Sequence, residues 1–126
     1  MHVLLVDDVG DTRQLFSMAF VLAGHRASTA SNAADAIELI LKHRFDAVLL
    51  DVEMPDVNGW TVLESVRELP FGHQVPIILF SAHHDEAKEE RARKAGAYVL
   101  LRKPMLPAQV IVFVEGAVSQ SLAKTA

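Results

Sequence analysis

Five short apolar runs alternate with segments of helical spacing along this sequence, and that alternation limits the fold more than any other feature. The runs are His2–Val6, Arg26–Ala30, Phe45–Leu50, Val75–Phe80 and Tyr98–Leu101. The first, third and fourth are almost continuously apolar, the pattern of parallel strands buried on both faces. Parallel neighbours cannot be joined by hairpins, and the crossovers between them are right-handed, so the intervening helices divide between the two faces of the sheet. The expected fold is a doubly wound α/β domain with a five-stranded parallel sheet.

The helices follow from their punctuation. Asp11 is placed to cap the first, with Gln14 as its reciprocal partner. Leu15, Phe16, Ala19, Phe20 and Leu22-Ala23 form its apolar face, and Gly24 supplies the stop. Ser31 is the expected cap of Ala33–His43, which turns Ala36, Ile37, Ile40 and Leu41 to one side. Trp60–Leu69 carries Val62, Leu63, Val66 and Leu69 inward and is broken by Pro70-Phe71-Gly72. Asp85–Ala95 is strongly charged, is closed by Gly96 and has Arg93 and Lys94 in its last turn, where the helix dipole favours cations. A last helix runs from about Pro107 to Leu122, with Ser119–Ala126 expected to fray.

A chain of 126 residues reads as one domain, 1–126, with a core large enough to fold unaided. It has no cysteine, hence no disulfide framework, thiolate zinc site or thiol nucleophile. No apolar run approaches the ~20 residues of a membrane span, and no signal peptide is visible before Asp7-Asp8. A reducing cytoplasm is the default location. The net charge of −4, with no clustered basic face, argues against direct nucleic-acid binding.

The polar residues of interest all fall where strands end. Asp7 and Asp8 follow the first strand, Asp51 the third, Ser81 the fourth and Lys103 the fifth. In an open parallel sheet the carboxyl ends of the strands line one edge, and ligands bind there. Three carboxylates, one hydroxyl and one ammonium therefore converge. Two carboxylates about 4 Å apart repel by roughly 4 kcal/mol at an effective dielectric near 20, so the cluster calls for a counter-charge beyond the one lysine. Only oxygen ligands are on offer, which favours Mg²⁺ or Mn²⁺ over zinc. Mg²⁺ held by few carboxylates is typically completed by a phosphate, so the cluster points to a phosphoryl group with one Asp as nucleophile.

These residues, together with Met54-Pro55 and Gly59 after Asp51, Ala82 after Ser81 and Pro104 after Lys103, resemble the receiver (CheY-like) domain of two-component response regulators in order and spacing over essentially the whole chain. The resemblance implies a flavodoxin-like sheet of order 2-1-3-4-5. It implies that Asp51 accepts a phosphoryl group from a histidine kinase or phosphotransfer protein and that Ser81 is the switch hydroxyl. It further implies that Lys103 pairs with the phosphoryl oxygens and that the Lys103-Pro104 bond is cis. Mg²⁺ would be held by Asp8, Asp51 and the backbone carbonyl of Glu53, with Asp7 acting mostly through water. The expected role is a phosphorylation switch that signals by protein–protein contact to an effector and catalyses at most its own phosphorylation and dephosphorylation. Two other readings stand beside it: a haloacid-dehalogenase-like phosphoryl-transfer enzyme, for which Glu53 has the right spacing but no cap is present, and a pseudo-receiver that works without phosphate.

The sequence also departs from the family's pattern. Leu100 stands three residues before Lys103, where the family usually carries an aromatic; strand alternation would put Tyr98 on the same face as Leu100, and the aromatic relay is expected to be absent. Glu53 and His83, two residues beyond Asp51 and Ser81, are positioned to tune the lifetime of an aspartyl phosphate through the attacking water. His83-His84 is a poor metal pair, since adjacent residues rarely point the same way. In Val110-Ile111-Val112-Phe113-Val114 no single helical face can bury every side chain, so Val112 and Phe113 are the expected partner surface, including that of a homodimer.

Overall fold

The computed structural model describes residues 1–55, 58–69 and 75–125, with residues 124 and 125 described by their backbone alone. Over them the order is β1 (His2–Val6), α1 (Gly10–Leu22), β2 (Arg26–Ala30), α2 (Ala33–Lys42), β3 (Ala47–Asp51), α3 (Gly59–Arg67), β4 (Ile77–Ser81), α4 (Glu86–Lys94), β5 (Val99–Arg102) and α5 (Pro107–Thr125). All strand pairs are parallel and the sheet order is β2-β1-β3-β4-β5, the flavodoxin-like arrangement expected. The expected Pro70-Phe71-Gly72 break and Asp56-Val57 of the loop after β3 lie outside the described residues.

Side-chain alternation sorts the strands into two cores. Leu4, Val6, Val48, Leu50, Ile77, Leu79 and Leu100 face α2, α3 and α4, meeting Ile40, Trp60, Val62, Leu63, Val66 and Ala92. Val3, Leu5, Ala47, Leu49, Ile78, Phe80 and Leu101 face α1 and α5, meeting Phe16, Phe20, Val110, Ile111 and Val114. Each strand needs apolar residues on both sides, which explains the unbroken hydrophobic runs of β3 and β4 at the centre. The mixed Arg26-Ala-Ser-Thr-Ala30 sequence suits β2, which is an edge.

Several local expectations are corrected. Asp11 lies inside the first turn of α1 rather than capping it; Val9 occupies the cap position without a side-chain bond, and the entry is shaped instead by the Asp7 carboxylate, which accepts from Val9 N at 2.9 Å. On α1 only Phe16 and Phe20 are buried, while Leu15 and Leu22 are 55% and 85% exposed. Leu22 sits about 200° round the helix from Phe20, so one sheet contact cannot cover both. Leu41 is likewise exposed on α2. The α2 cap is Asn32, which accepts from Asp35 N at 2.8 Å, not Ser31. Helix α5 passes through Gly116 and runs from Pro107 to Thr125.

Asn58 caps α3 in the same way, accepting from Thr61 N at 3.1 Å. Because these two bonds satisfy helix-end N–H groups, Asn32→Ala and Asn58→Ala should each lower unfolding free energy by about 1 kcal/mol in urea titrations.

Candidate functional site at the carboxyl edge of the sheet

Register levels the strand ends. Val6 lies opposite Leu50, Asp51 opposite Phe80, and Ser81 opposite Arg102, so the residues that end or follow β1, β3, β4 and β5 emerge along one edge. Backbone bonds continue the ladder just past them: Val52 N donates to Phe80 O at 3.0 Å, and Lys103 N to Ser81 O at 2.8 Å. This is why β3 and β4 each extend one residue beyond the apolar run, to Asp51 and Ser81. The Lys103-Pro104 peptide is cis, as expected.

The predicted residues do converge. Asp7, Asp8 and Asp51 each present a carboxylate oxygen within 4.8 Å of the others. Asp51 is 3% exposed and Asp7 7%, whereas Asp8 is open to solvent at the rim. Lys103 Nζ lies 3.3 Å from Asp7 Oδ2 and 3.3 Å from Asp51 Oδ2, and it sits 5.4 Å from the centre of the Phe80 ring. Asp51 Oδ1 also accepts from Glu53 N at 3.1 Å. Three acids against one ammonium leave a surplus of negative charge, and Asp51 is the acid whose ionisation is most disfavoured. Burial, with Lys103 opposing and Asp7 adding to it, pushes its carboxyl up to about 7. Burial also disfavours the Lys103 ammonium, but Asp51 and Asp7 outweigh that and hold it above its ordinary range. An all-oxygen donor set with unneutralised charge fits a hard divalent cation of the Mg²⁺ kind.

Ser81 is fully buried. Its Oγ donates to Glu53 Oε1 and accepts from His83 N at 3.1 Å. Glu53 Oε2 accepts from Ala82 N at 3.2 Å. Burial works against ionisation of Glu53, yet the bonds from Ser81, Ala82 and His83 and the nearby Lys88 hold its carboxyl below the usual range. The Glu53 side chain is therefore committed to the loop after β4. His83 is exposed, and His84 pairs with Glu89 at 2.9 Å, which leaves the two histidines apart in role.

Leu100 is buried, in the core layer of Leu79 and Ala92. Tyr98 precedes β5 and is 39% exposed, with its hydroxyl beside α5, 3.9 Å from where a Cβ on Gly116 would lie. The shared face expected for Tyr98 and Leu100 is thus corrected: pleat alternation does not hold for a residue outside the strand. Two residues of the site had not been singled out. Arg13 donates from NH1 to Asp7 O at 2.7 Å, and Lys88 donates from Nζ to His83 O at 2.6 Å while standing 3.7 Å from Glu53 Oε1. Arg13 is one turn into the helix that follows Asp7-Asp8, and Lys88 one turn past the Asp85 cap. Those spacings were the available signals.

The class is thus a flavodoxin-like α/β domain with a buried aspartate, an acidic rim and a lysine at the carboxyl edge of its sheet. Residues 3–115 match the sequence profile described as the response regulator receiver domain. A protein of Leptolyngbya boryana described as an uncharacterized 14.6 kDa protein is 33% identical over 115 residues, covering 91% of this chain and 88% of its own length. The transcriptional regulatory protein SrrA of Staphylococcus aureus is 28% identical over 98% of this chain, which spans 50% of that protein. The receiver domain protein of Methanospirillum hungatei superposes with a TM-score of 0.91 at 20% identity, covering 98% and 97% of the two chains. The chemotaxis response regulator CheY4 of Vibrio cholerae does so with a TM-score of 0.85 at 28% identity, covering 92% and 97%.

The chain belongs to the response regulator receiver family of two-component systems. Members typically use Mg²⁺ at an acidic pocket, work with histidine kinases and effectors, and are generally not enzymes in the ordinary sense. Among the described residues no helix is long and apolar enough to cross a membrane.

Proposed function

We propose that Asp51 is the phosphoacceptor, taking a phosphoryl group from the phosphohistidine of a histidine kinase or phosphotransfer protein in the cytoplasm. The observation that carries this reading is the Asp51 environment: the most buried of three clustered acids, at a strand end, 3.3 Å from Lys103. An Asp51 carboxylate oxygen attacks phosphorus, an O–P bond forms, and the P–N bond breaks with its electron pair leaving on the imidazole. Lys103 neutralises charge on the phosphoryl oxygens, and the Ser81 hydroxyl supplies a hydrogen bond to them. Asp7, Asp8, Asp51 and the Glu53 carbonyl would hold Mg²⁺, which supplies the missing positive charge and shields the acids from the incoming phosphate.

Incubation with acetyl phosphate and Mg²⁺ tests the reading. Intact mass should rise by one HPO₃ for wild type and not for Asp51→Asn, nor for wild type in EDTA. Equal uptake by Asp51→Asn would reject Asp51 as the acceptor.

Output passes through protein contact. Val112 and Phe113 on α5 are 66% and 41% exposed, and support a homodimer or effector surface there. Phe113→Arg should remove any concentration-dependent mass increase in light scattering; an unchanged increase would exclude this face.

A further inference from the structure

We infer that Glu53 is an internal latch: its carboxylate occupies the Ser81 hydroxyl and the Ala82 N–H in the unphosphorylated protein and must be displaced before the loop after β4 can serve a phosphoryl group. The inference rests on the proposed role of Asp51 and adds to it a regulator of the same site.

The geometry is specific. One residue touches both halves of the switch, its N–H bonded to Asp51 Oδ1 at 3.1 Å and its carboxylate to the loop after β4. A serine hydroxyl has a single proton, and here it lies between Glu53 Oε1 and His83 O, the latter at 2.9 Å, so while either holds it the proton cannot be donated elsewhere. With the acceptor ionised, this bond belongs to the stronger, charge-assisted kind. Lys88 reinforces the closed form, reaching His83 O at 2.6 Å and Glu53 Oε1 at 3.7 Å from the first turn of α4. That helix is lightly anchored, since Ala92 is its one buried residue. A phosphoryl group on Asp51 brings about −1.5 to −2 charge to the neighbourhood of this carboxylate. The two anions compete for the same hydroxyl and repel each other, so phosphorylation releases Glu53 and, with it, the Lys88 tie to α4. The latch thereby sets an electrostatic threshold against spurious phosphorylation.

Two measurements separate the latch from the function it regulates. The first needs no phosphoryl donor: in metal-free protein, Glu53→Ala and the shorter Glu53→Asp should shift the Ala82 and His83 amide resonances and speed their hydrogen exchange. Glu53→Gln, which keeps an acceptor oxygen, should shift them less. Unchanged Ala82 and His83 amides in Glu53→Ala overturn the latch, whatever Asp51 does. The second is the rate of phosphorylation by acetyl phosphate with Mg²⁺, which should rise about 5–10-fold in Glu53→Ala, the scale of one ordinary net hydrogen bond. Lys88→Met should raise it less, and the double variant should fall short of the product of the two. A merely structural role would lower the rate; an unchanged or lower rate with the amides shifted overturns the threshold. If wild type takes up no phosphoryl group while the amides shift as expected, the Asp51 reading fails and the closed Glu53–Ser81 contact stands.

Discussion

Asp51→Asn should unfold at a higher temperature than wild type in metal-free buffer at neutral pH, although it removes the residue at the centre of the site. The Asp51 carboxyl is pushed from 3.8 to about 7 in the folded protein. A group whose folded pKa lies above its unfolded value favours folding fully at pH below the unfolded value. That contribution is lost as pH rises through the folded value. The difference between wild type and Asp51→Asn should therefore be small near pH 4 and grow to roughly 1–3 kcal/mol in favour of the variant above pH 7. Asp8→Asn should act in the same direction but less, because Asp8 is exposed. Millimolar Mg²⁺ should raise the wild-type melting temperature and close the gap, since a cation that binds only the folded form stabilises it by mass action. Thermal melts at several pH values, with and without Mg²⁺, check the set. An Asp51→Asn protein that is less stable than wild type throughout would mean that burial and the neighbouring acid do not penalise the Asp51 carboxylate.

Gly59→Ala should have the opposite sign from the usual glycine-to-alanine change in a helix, which gains up to about 1 kcal/mol. Helix α3 begins at Gly59, whose N–H donates to Val52 O at 2.9 Å, so the helix start is pressed against the exit of β3. A Cβ there would lie 2.8 Å from Val52 Cα and closer still to the Asp51 carbonyl oxygen. Both obstacles are backbone and cannot swing aside. Relief requires moving α3 or the Asp51-Val52 peptide, and the expected loss is about 3 kcal/mol or more, with Mg²⁺ affinity falling as well because Asp51 moves. Urea unfolding and Mg²⁺ calorimetry read the two effects. A stable Gly59→Ala protein with unaltered Mg²⁺ affinity would contradict the close approach.

The fold was legible because burial on both faces leaves its mark on the central strands: β3 and β4 are apolar up to their last residue, and their alternation with helical segments selects a parallel sheet. The acid cluster was legible for a topological reason, since strand ends meet at one edge whatever the loops do. What escaped depends on loop conformation. Ser31 and Asn32 are both competent caps, and only the backbone decides that Asn32 reaches Asp35 N. Asp11 lost its cap because Asp7 takes the turn at the helix entry. The bond between Glu53 and Ser81 joins loops 28 residues apart and has no local sequence signal. Tyr98 was misplaced by carrying the period of a strand one residue beyond its start.

The most direct test of the account is to reduce the phosphorylated protein with borohydride, which converts an aspartyl phosphate to homoserine, and to map the product by peptide mass. Homoserine at position 51, dependent on Mg²⁺ and on the phosphoryl donor, is the predicted result. Homoserine at position 7 or 8, or none after demonstrated phosphoryl uptake, would contradict it.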